Sequence, residues 1–382
     1  MISAAESNSS PGFPRRRRNR PKAKQNQIVE TLREKILSGD YPPGSQLPIQ
    51  TELVKSLKMS GVTVQKAVET LAQQGFVEIR RGVGSFIPVR PPHLQDYAVV
   101  FPTRFPSHFH EALREEALAL QENGDRFFHF FHIDVPAHRF HPDEQRLETL
   151  IGNQQLAGVL FVGTTGGLMN LPRMQQSQIP RVLISQAPDQ VGTPTVAYDQ
   201  EGMIEKSLQY FQEIGVRKLA GFFIGDAQPE WIRLMPVMAE MGIFTRSYWG
   251  FGVMPDIAMN AAPIARMLMD YPVNERPDGI LVADDHLTEG VEAGLLQSRL
   301  PEAHNIRIVA QCNFPDHFTH RLPIKRIGYD AGRLLRAGLE KLDQQRQAAV
   351  FPPVTMISPL FDHELPPDKV NVSAHRLANR ER

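Results

Sequence analysis

Four polar side chains crowd into seven residues near the start of the chain: Ser60, Thr63, Gln65 and Lys66. Short polar groups at the start of a helix can meet base edges in a DNA major groove. Gln65 has the donor and acceptor for a bidentate contact with adenine, and Lys66 can reach guanine or a phosphate. Ser60 and the free N–H groups of a helix start can hold a phosphate. Twenty residues on, Arg80-Arg81-Gly82 makes a short basic turn able to lie along the backbone or enter a minor groove. Each residue also has a plainer use, since Ser60 and Thr63 can act as caps alone and Arg80 and Arg81 as a solvated turn.

Charge separates this segment from the rest. Lys+Arg and Asp+Glu both number 42 over 382 residues. Yet residues 1–92 carry 15 basic and seven acidic side chains, leaving a matching acidic excess beyond. A basic end on an acidic body points to a polyanion partner for that end only. Arg15 and Arg16 begin a run of four arginines in a Ser- and Pro-rich stretch, 1–24, expected to be a disordered arm that adds phosphate attraction.

The elements that must position these residues follow from pattern. Ile28, Leu32 and Ile36 share a helix face, Gly39 and Pro42-Pro43-Gly44 form a turn, and a short helix spans Thr51–Lys58. Ser60 caps a third helix ending near Gly75, with Val64, Ala67, Val68 and Leu71 inward. Two short strands then flank Arg80-Arg81-Gly82. That order predicts a winged helix-turn-helix over 25–88, with a proline-stiffened linker at 89–94.

From 95 to 362 strand and helix patterns alternate, which predicts an α/β unit with parallel sheets and helices on both faces, long enough for two lobes. Ligands bind such sheets at the carboxyl ends of the strands. A ragged tail is expected over 363–382. Cys312 is the sole cysteine, so no internal disulfide framework exists. With no apolar run of spanning length and no basic-then-apolar N-terminus, the expectation is a cytoplasmic protein with no membrane partner.

The run from Gly39 to Pro48 resembles the opening turn of GntR-family winged-helix domains. Ser60–Val68, Leu71–Val77 and Gly82–Ile87 are similar to the rest of that domain. Ile49-Gln50-Thr51 replaces the family's Ser-Glu-Arg, and Gly61 and Gln65 stand where it usually has arginine. Further along, Val196-Ala197-Tyr198-Asp199, Gly215–Ala220, Pro277–Asp285, Ile306–Phe314 and Ile327–Leu339 resemble, in order, LacI-family effector domains. The resemblance implies a two-lobed periplasmic-binding-protein-like fold with a ligand cleft. A head and body of these types together resemble the arabinose-repressor type of bacterial regulator.

The resemblance implies a transcriptional regulator, a repressor by family habit, whose operator affinity responds to a small molecule between the lobes. Partners would be a double-stranded operator, a sugar or related metabolite, and a second copy of the chain. Candidate effector contacts are Arg104, Trp231, Arg233, Asp284 and Asn313. Glu230 occupies the family's sugar-gripping arginine position and Cys312 its late aspartate, which points away from a simple sugar. Trp231 can equally be a core aromatic and Arg233 a surface ion pair, while Asp199 reads as a hinge or cap.

Two rival readings are weaker. An enzyme with a fused head would need a Schiff-base lysine, but Lys206, Lys218, Lys325, Lys341 and Lys369 sit in no cofactor motif. Gly163–Gly167 lacks the Gly-Lys-Ser/Thr of a nucleotide loop. A metal sensor would draw on His108, His110, His129, His132, His138 and His141, whose spacing matches no standard site. No catalytic residue, metal or cofactor is expected.

Overall fold

The computed structural model describes residues 20–103, 107–124, 126–133, 142–170, 172–186, 194–298, 300, 303, 305–316 and 318–366. The chain divides into two compact units at Leu94/Gln95.

The first unit opens with α1 (Arg20–Leu37), which buries Ile28, Val29, Leu32 and Ile36. It begins within the stretch expected to be a disordered arm. Pro21 costs nothing at a helix start, where its missing N–H would have no partner, and the Lys, Ala and Gln that follow favour helix. Next come α2 (Gln50–Leu57) and α3 (Gly61–Gln73). The face of α3 formed by Val64, Ala67, Val68 and Leu71 packs into one core with Leu53, Phe76, Val77 and Ile87. Strands β1 (Glu78–Arg80) and β2 (Gly84–Phe86) pair antiparallel, with Glu78 opposite Phe86. Backbone from Ser45 to Leu47 adds to this wing: Leu47 N–H donates to Ser85 O at 2.8 Å, and Ile87 N–H to Ser45 O at 2.8 Å. The expected linker is partly structured. Helix α4 (Pro92–Gln95) begins there, Pro92 is buried, and the His93 ring stacks on Phe76 at 5.7 Å.

The second unit starts with β3 (Asp96–Phe101), α5 (His108–Glu122), β4 (Phe127–His132), α6 (Pro142–Gly152) and β5 (Gly158–Val162). A 3-10 segment (Gly163–Asn170), α7 (Pro172–Gln176), β6 (Arg181–Ser185) and β7 (Thr195–Tyr198) complete the first pass. Then follow α8 (Gln200–Glu213), β8 (Leu219–Ile224), α9 (Gln228–Glu240), β9 (Gly250–Val253), α10 (Ala261–Met269), β10 (Gly279–Val282) and α11 (Thr288–Leu296). The unit ends with β11 (Arg307–Phe314), β12 (Ile324–Asp330), α12 (Ala331–Arg346), β13 (Val354–Ile357) and β14 (Leu360–Phe361).

These strands make two six-stranded sheets, ordered β4-β3-β5-β6-β7-β13 and β9-β8-β10-β11-β12-β14. All neighbours are parallel except β12 and β14. The chain therefore passes between two lobes three times: after β7, after β12 and after β13. The central strands are apolar throughout because helices cover both faces. Trp231 is fully buried in the second lobe. It fits because Gly221 and Gly250 are bare: a Cβ on either would lie 2.4 or 2.3 Å from its ring system.

Candidate functional site

In the first unit the candidate DNA-contacting groups lie on the side of α3 away from the core, and on the wing. Ser60 is the N-cap: its hydroxyl accepts from Thr63 N–H at 3.3 Å and lies 2.7 Å from the Thr63 hydroxyl. Gln65 and Lys66 are exposed. The Gln65 amide donates to Glu69 at 3.0 Å, which lays it along the helix. At the wing, Gly82 takes φ +74°, a conformation that favours glycine, and turns the chain tightly between Arg81 and Val83. Arg81 is exposed. Arg80 pairs with Glu78 at 3.0 Å and lies over the Phe86 ring at 4.5 Å, so part of its charge is answered locally. Arg33, only 6% exposed, donates to Gln74 at 2.8 Å; burial lowers its pKa against the raising effect of Glu30. Arg15 and Arg16 lie outside the described residues.

Sequence reasoning passed over Val62. It is 69% exposed, on the same side of α3 as Gln65 and Lys66.

In the second unit a narrow crevice lies between the lobes. His108, at the start of α5, reaches it from the first lobe. The second lobe supplies residues that follow or end its strands, including Asp285, Thr288, Gln311, Asn313, Asp316 and Phe318. The His108 and Phe318 rings meet at 4.0 Å, and Phe318 stacks towards His320 at 6.5 Å. Arg326 faces Asp316 at 3.3 Å.

Two expected contacts, Asp284 and Asn313, come together here through residues not singled out. Asp284 caps the turn after β10, accepting from His286 N–H at 3.0 Å and from His286 Nδ1 at 2.7 Å. The same imidazole nitrogen lies 3.1 Å from Asp285, whose other oxygen accepts from Asn313 Nδ2 at 2.9 Å. Burial alone would lower the His286 pKa; the two carboxylates overcome it and push it up to about 10. Asp284 is raised, chiefly by burial. Asp285, buried too, is held low because His286, His108 and the Asn313 amide favour its charged form. From the first lobe, His110 packs on Phe101 at 5.1 Å, and burial drives it down to about 4 despite the nearby Asp285.

The crevice also leaves buried polar atoms without hydrogen-bond partners. Thr288 Oγ1 and Gln311 Oε1 line it, and Gln200 Oε1 and His286 Nε2 belong to residues beside it. Gln200 Nε2 donates to Ala283 O at 3.2 Å, tying the start of α8 to the end of β10. Asp199 caps α8 through Gly202 N–H at 2.9 Å, while its carbonyl accepts from the Tyr329 hydroxyl at 2.8 Å, where two of the three lobe crossings meet.

Two expected contacts are not brought to this crevice. Trp231 has no exposed surface and its indole N–H is spent on Arg246 O at 2.9 Å, so it is a core aromatic. Arg233 is exposed on α9, held by Glu230 at 2.7 Å and by Glu201 at 3.6 Å. It is a surface ion pair. Arg104 lies outside the described residues, as do His138 and His141. Of the other clustered histidines, His129 is bound to Asp96 at 2.9 Å, away from His108 and His110. Among the described residues no helix is long and apolar enough to cross a membrane.

Comparison with known proteins agrees with this architecture. Residues 24–87 match the model for bacterial regulatory proteins of the gntR family. An arabinose metabolism transcriptional repressor from Geobacillus stearothermophilus is 23% identical over 311 residues, covering 75% of this chain and 81% of the relative. Among solved structures, the trehalose repressor from Escherichia coli superposes with a TM-score of 0.51 at 17% identity, over 70% of this chain and 99% of that one. A LacI-family regulator from Lactobacillus casei with bound glucose gives 0.51 at 15%, over 70% and 98%. With a head that matches the gntR-family model and a two-lobed body whose fold is that of LacI-type regulators, the chain is a DNA-binding transcriptional regulator.

Proposed function

We propose that this regulator is a homodimeric repressor released from, or tightened on, its operator by a polyhydroxylated small molecule bound in the interlobe crevice. The observation that carries the ligand class is the mixture of unpartnered buried groups there. Thr288 Oγ1 and Gln311 Oε1 accept hydrogen bonds, and a charged His286 offers Nε2–H as a donor. A hydroxyl is donor and acceptor at once, so a polyol answers all three. The His108 and Phe318 rings, in contact at a tilt, offer apolar faces to a sugar ring. Asp284, Asp285 and Asn313 would fix its orientation. Similarity to repressors named for arabinose and trehalose, and to a fold seen with glucose, supports a sugar or close relative.

On the DNA side, Ser60 with the α3 N–H groups and Lys66 would meet phosphates. Gln65 and Thr63 would meet bases, and Arg80, Arg81 and Gly82 would lie along the backbone, helped by Arg15 and Arg16. Dimerisation follows from the two-fold symmetry of most operators. Met254, Ile257, Met259 and Met267, all about half exposed or more around β9 and α10, offer an apolar surface for it. Ligand closure of the crevice would then alter the spacing of the two heads.

The test is a selection of the full-length chain against a random duplex pool at about physiological salt, followed by titration of the selected duplex with arabinose, ribose, glucose, trehalose and cellobiose. A two-half-site motif whose affinity shifts with one of these sugars supports the reading. A motif indifferent to every polyol, with no heat of binding to any of them, removes the polyol effector.

A further inference from the structure

Resting on the assignment of the head as a DNA-binding domain, we propose that Val62 is a specificity residue that reads the C5-methyl group of a thymine in the operator. Val62 is the second residue of α3, about 200° around the helix axis from Val64, which is fully buried. It thus points away from the core at the end of the helix that a helix-turn-helix presents to base edges. Beside it stand the polar groups assigned to phosphates and bases, and one residue without a side chain. Ser60 and Thr63 hydroxyls bond each other at 2.7 Å, the Gln65 amide is braced by Glu69, and Gly61 has no side chain.

Gly61 strengthens the inference. Glycine weakens a helix, and nothing inside the protein requires it here: a Cβ would meet the Gln50 amide at 3.5 Å and Val54 at 3.9 Å, ordinary contacts. What its bareness provides is a helix start on which no longer side chain stands next to Val62. A β-branched apolar side chain, 69% exposed on a helix, is favoured by neither propensity nor solvation. Covered by DNA, it has one apolar partner in the major groove, the thymine methyl group.

The experiment uses the full-length chain and the duplex returned by the selection above. Each thymine is replaced in turn by deoxyuridine, which lacks only that methyl group. The expected result is one thymine per half-site whose replacement weakens binding by roughly fourfold, the value of one buried methyl-sized group. Val62→Ala should bind the thymine and deoxyuridine duplexes equally. Because Val62 is exposed, the variant should keep the thermal stability and salt dependence of the parent. A sequence preference retained without any Val62-dependent methyl effect would overturn this inference alone. No sequence preference at all would overturn it together with the reading of the head as sequence-specific.

Discussion

Buried polar atoms without partners are rare, because each forfeits a hydrogen bond it would make in water. Gln311 is 5% exposed and keeps such an oxygen at the crevice. Gln311→Met should therefore raise stability, by about 1 kcal/mol, while weakening sugar binding at least tenfold. Thermal melts paired with calorimetric titration would check this, and an unchanged affinity would remove Gln311 from the site. Two histidines make a second prediction. His286 has its folded pKa raised to about 10 from an ordinary 6.5, so its contribution is full below pH 6.5 and is lost as pH rises towards 10. His110 is lowered to about 4, so the unfolded chain takes up its proton first and stability is lost as pH falls from 6.5 towards 4. Melting temperature should peak near neutrality. His286→Gln should flatten the alkaline flank and His110→Gln the acidic one; flanks unmoved by either variant would contradict these environments. Legibility in the sequence was uneven at this scale. Asp284 and Asn313 were visible because they sit at strand ends in a resemblance carried by ordered motifs. Trp231 misled because a tryptophan two residues from a candidate ligand position looks alike whether it stacks on a ligand or fills a core. What separates the two is the pair Gly221 and Gly250, which lie ten and nineteen residues away in the chain.

Elements hold these residues only as firmly as they pack on one another. Helix α11 follows the Asp284–His286 turn and lies tight against α10: a Cβ on Gly294 would stand 2.1 Å from Ala262 O, and one on Gly290 2.8 Å from Ala258 O. Gly294→Ala should push the helices apart at a cost of about 1–3 kcal/mol and displace the turn that starts α11. Sugar affinity should fall with stability, although Gly294 itself touches no ligand. Denaturant unfolding and ligand titration of the same variant would show whether the two losses coincide; lost stability with unchanged affinity would mean the turn is held independently of α11. Most elements of the body were legible from alternating apolar runs. Strands β7, β9, β12, β13 and β14 were not. β9 reads Gly-Phe-Gly-Val, with two glycines that weaken a strand signal, and β14 has two residues. β13 follows a proline pair and joins its sheet only because α12 returns the chain to the first lobe. Such pairing is set by tertiary context rather than by local pattern. The start of α1 was misplaced for the opposite reason, since charge and proline in the first residues masked good helix formers.

Over the whole molecule, charge is arranged so that one end attracts DNA and the remainder repels it. The excess of eight basic groups in residues 1–92 is cancelled by the acidic body. Operator binding should therefore weaken steeply with salt, as condensed counterions return to the duplex. How steeply depends on how many cations reach phosphates. In the head, Glu78 partly answers Arg80, and Gly61 and Gln65 at the start of α3 carry no charge. This leaves a small set of cations, Lys66 and Arg81 foremost, to act from the folded unit. The four arginines from Arg15 to Arg18 are the largest remaining reserve. If they meet phosphates, deleting residues 1–19 should lower the slope of log affinity against log salt by up to about 0.9 for each lost contact, so by about three to four per head. The ratio of operator to random-duplex affinity should stay nearly unchanged, because phosphate contacts carry no sequence information. Titrations of both proteins over a salt series, on the selected duplex and on a scrambled one, give slope and ratio together. An unchanged slope would return the whole electrostatic burden to Lys66, Arg80 and Arg81. A collapsed ratio would instead put an arginine of the arm in a minor groove, reading width and base composition rather than charge alone.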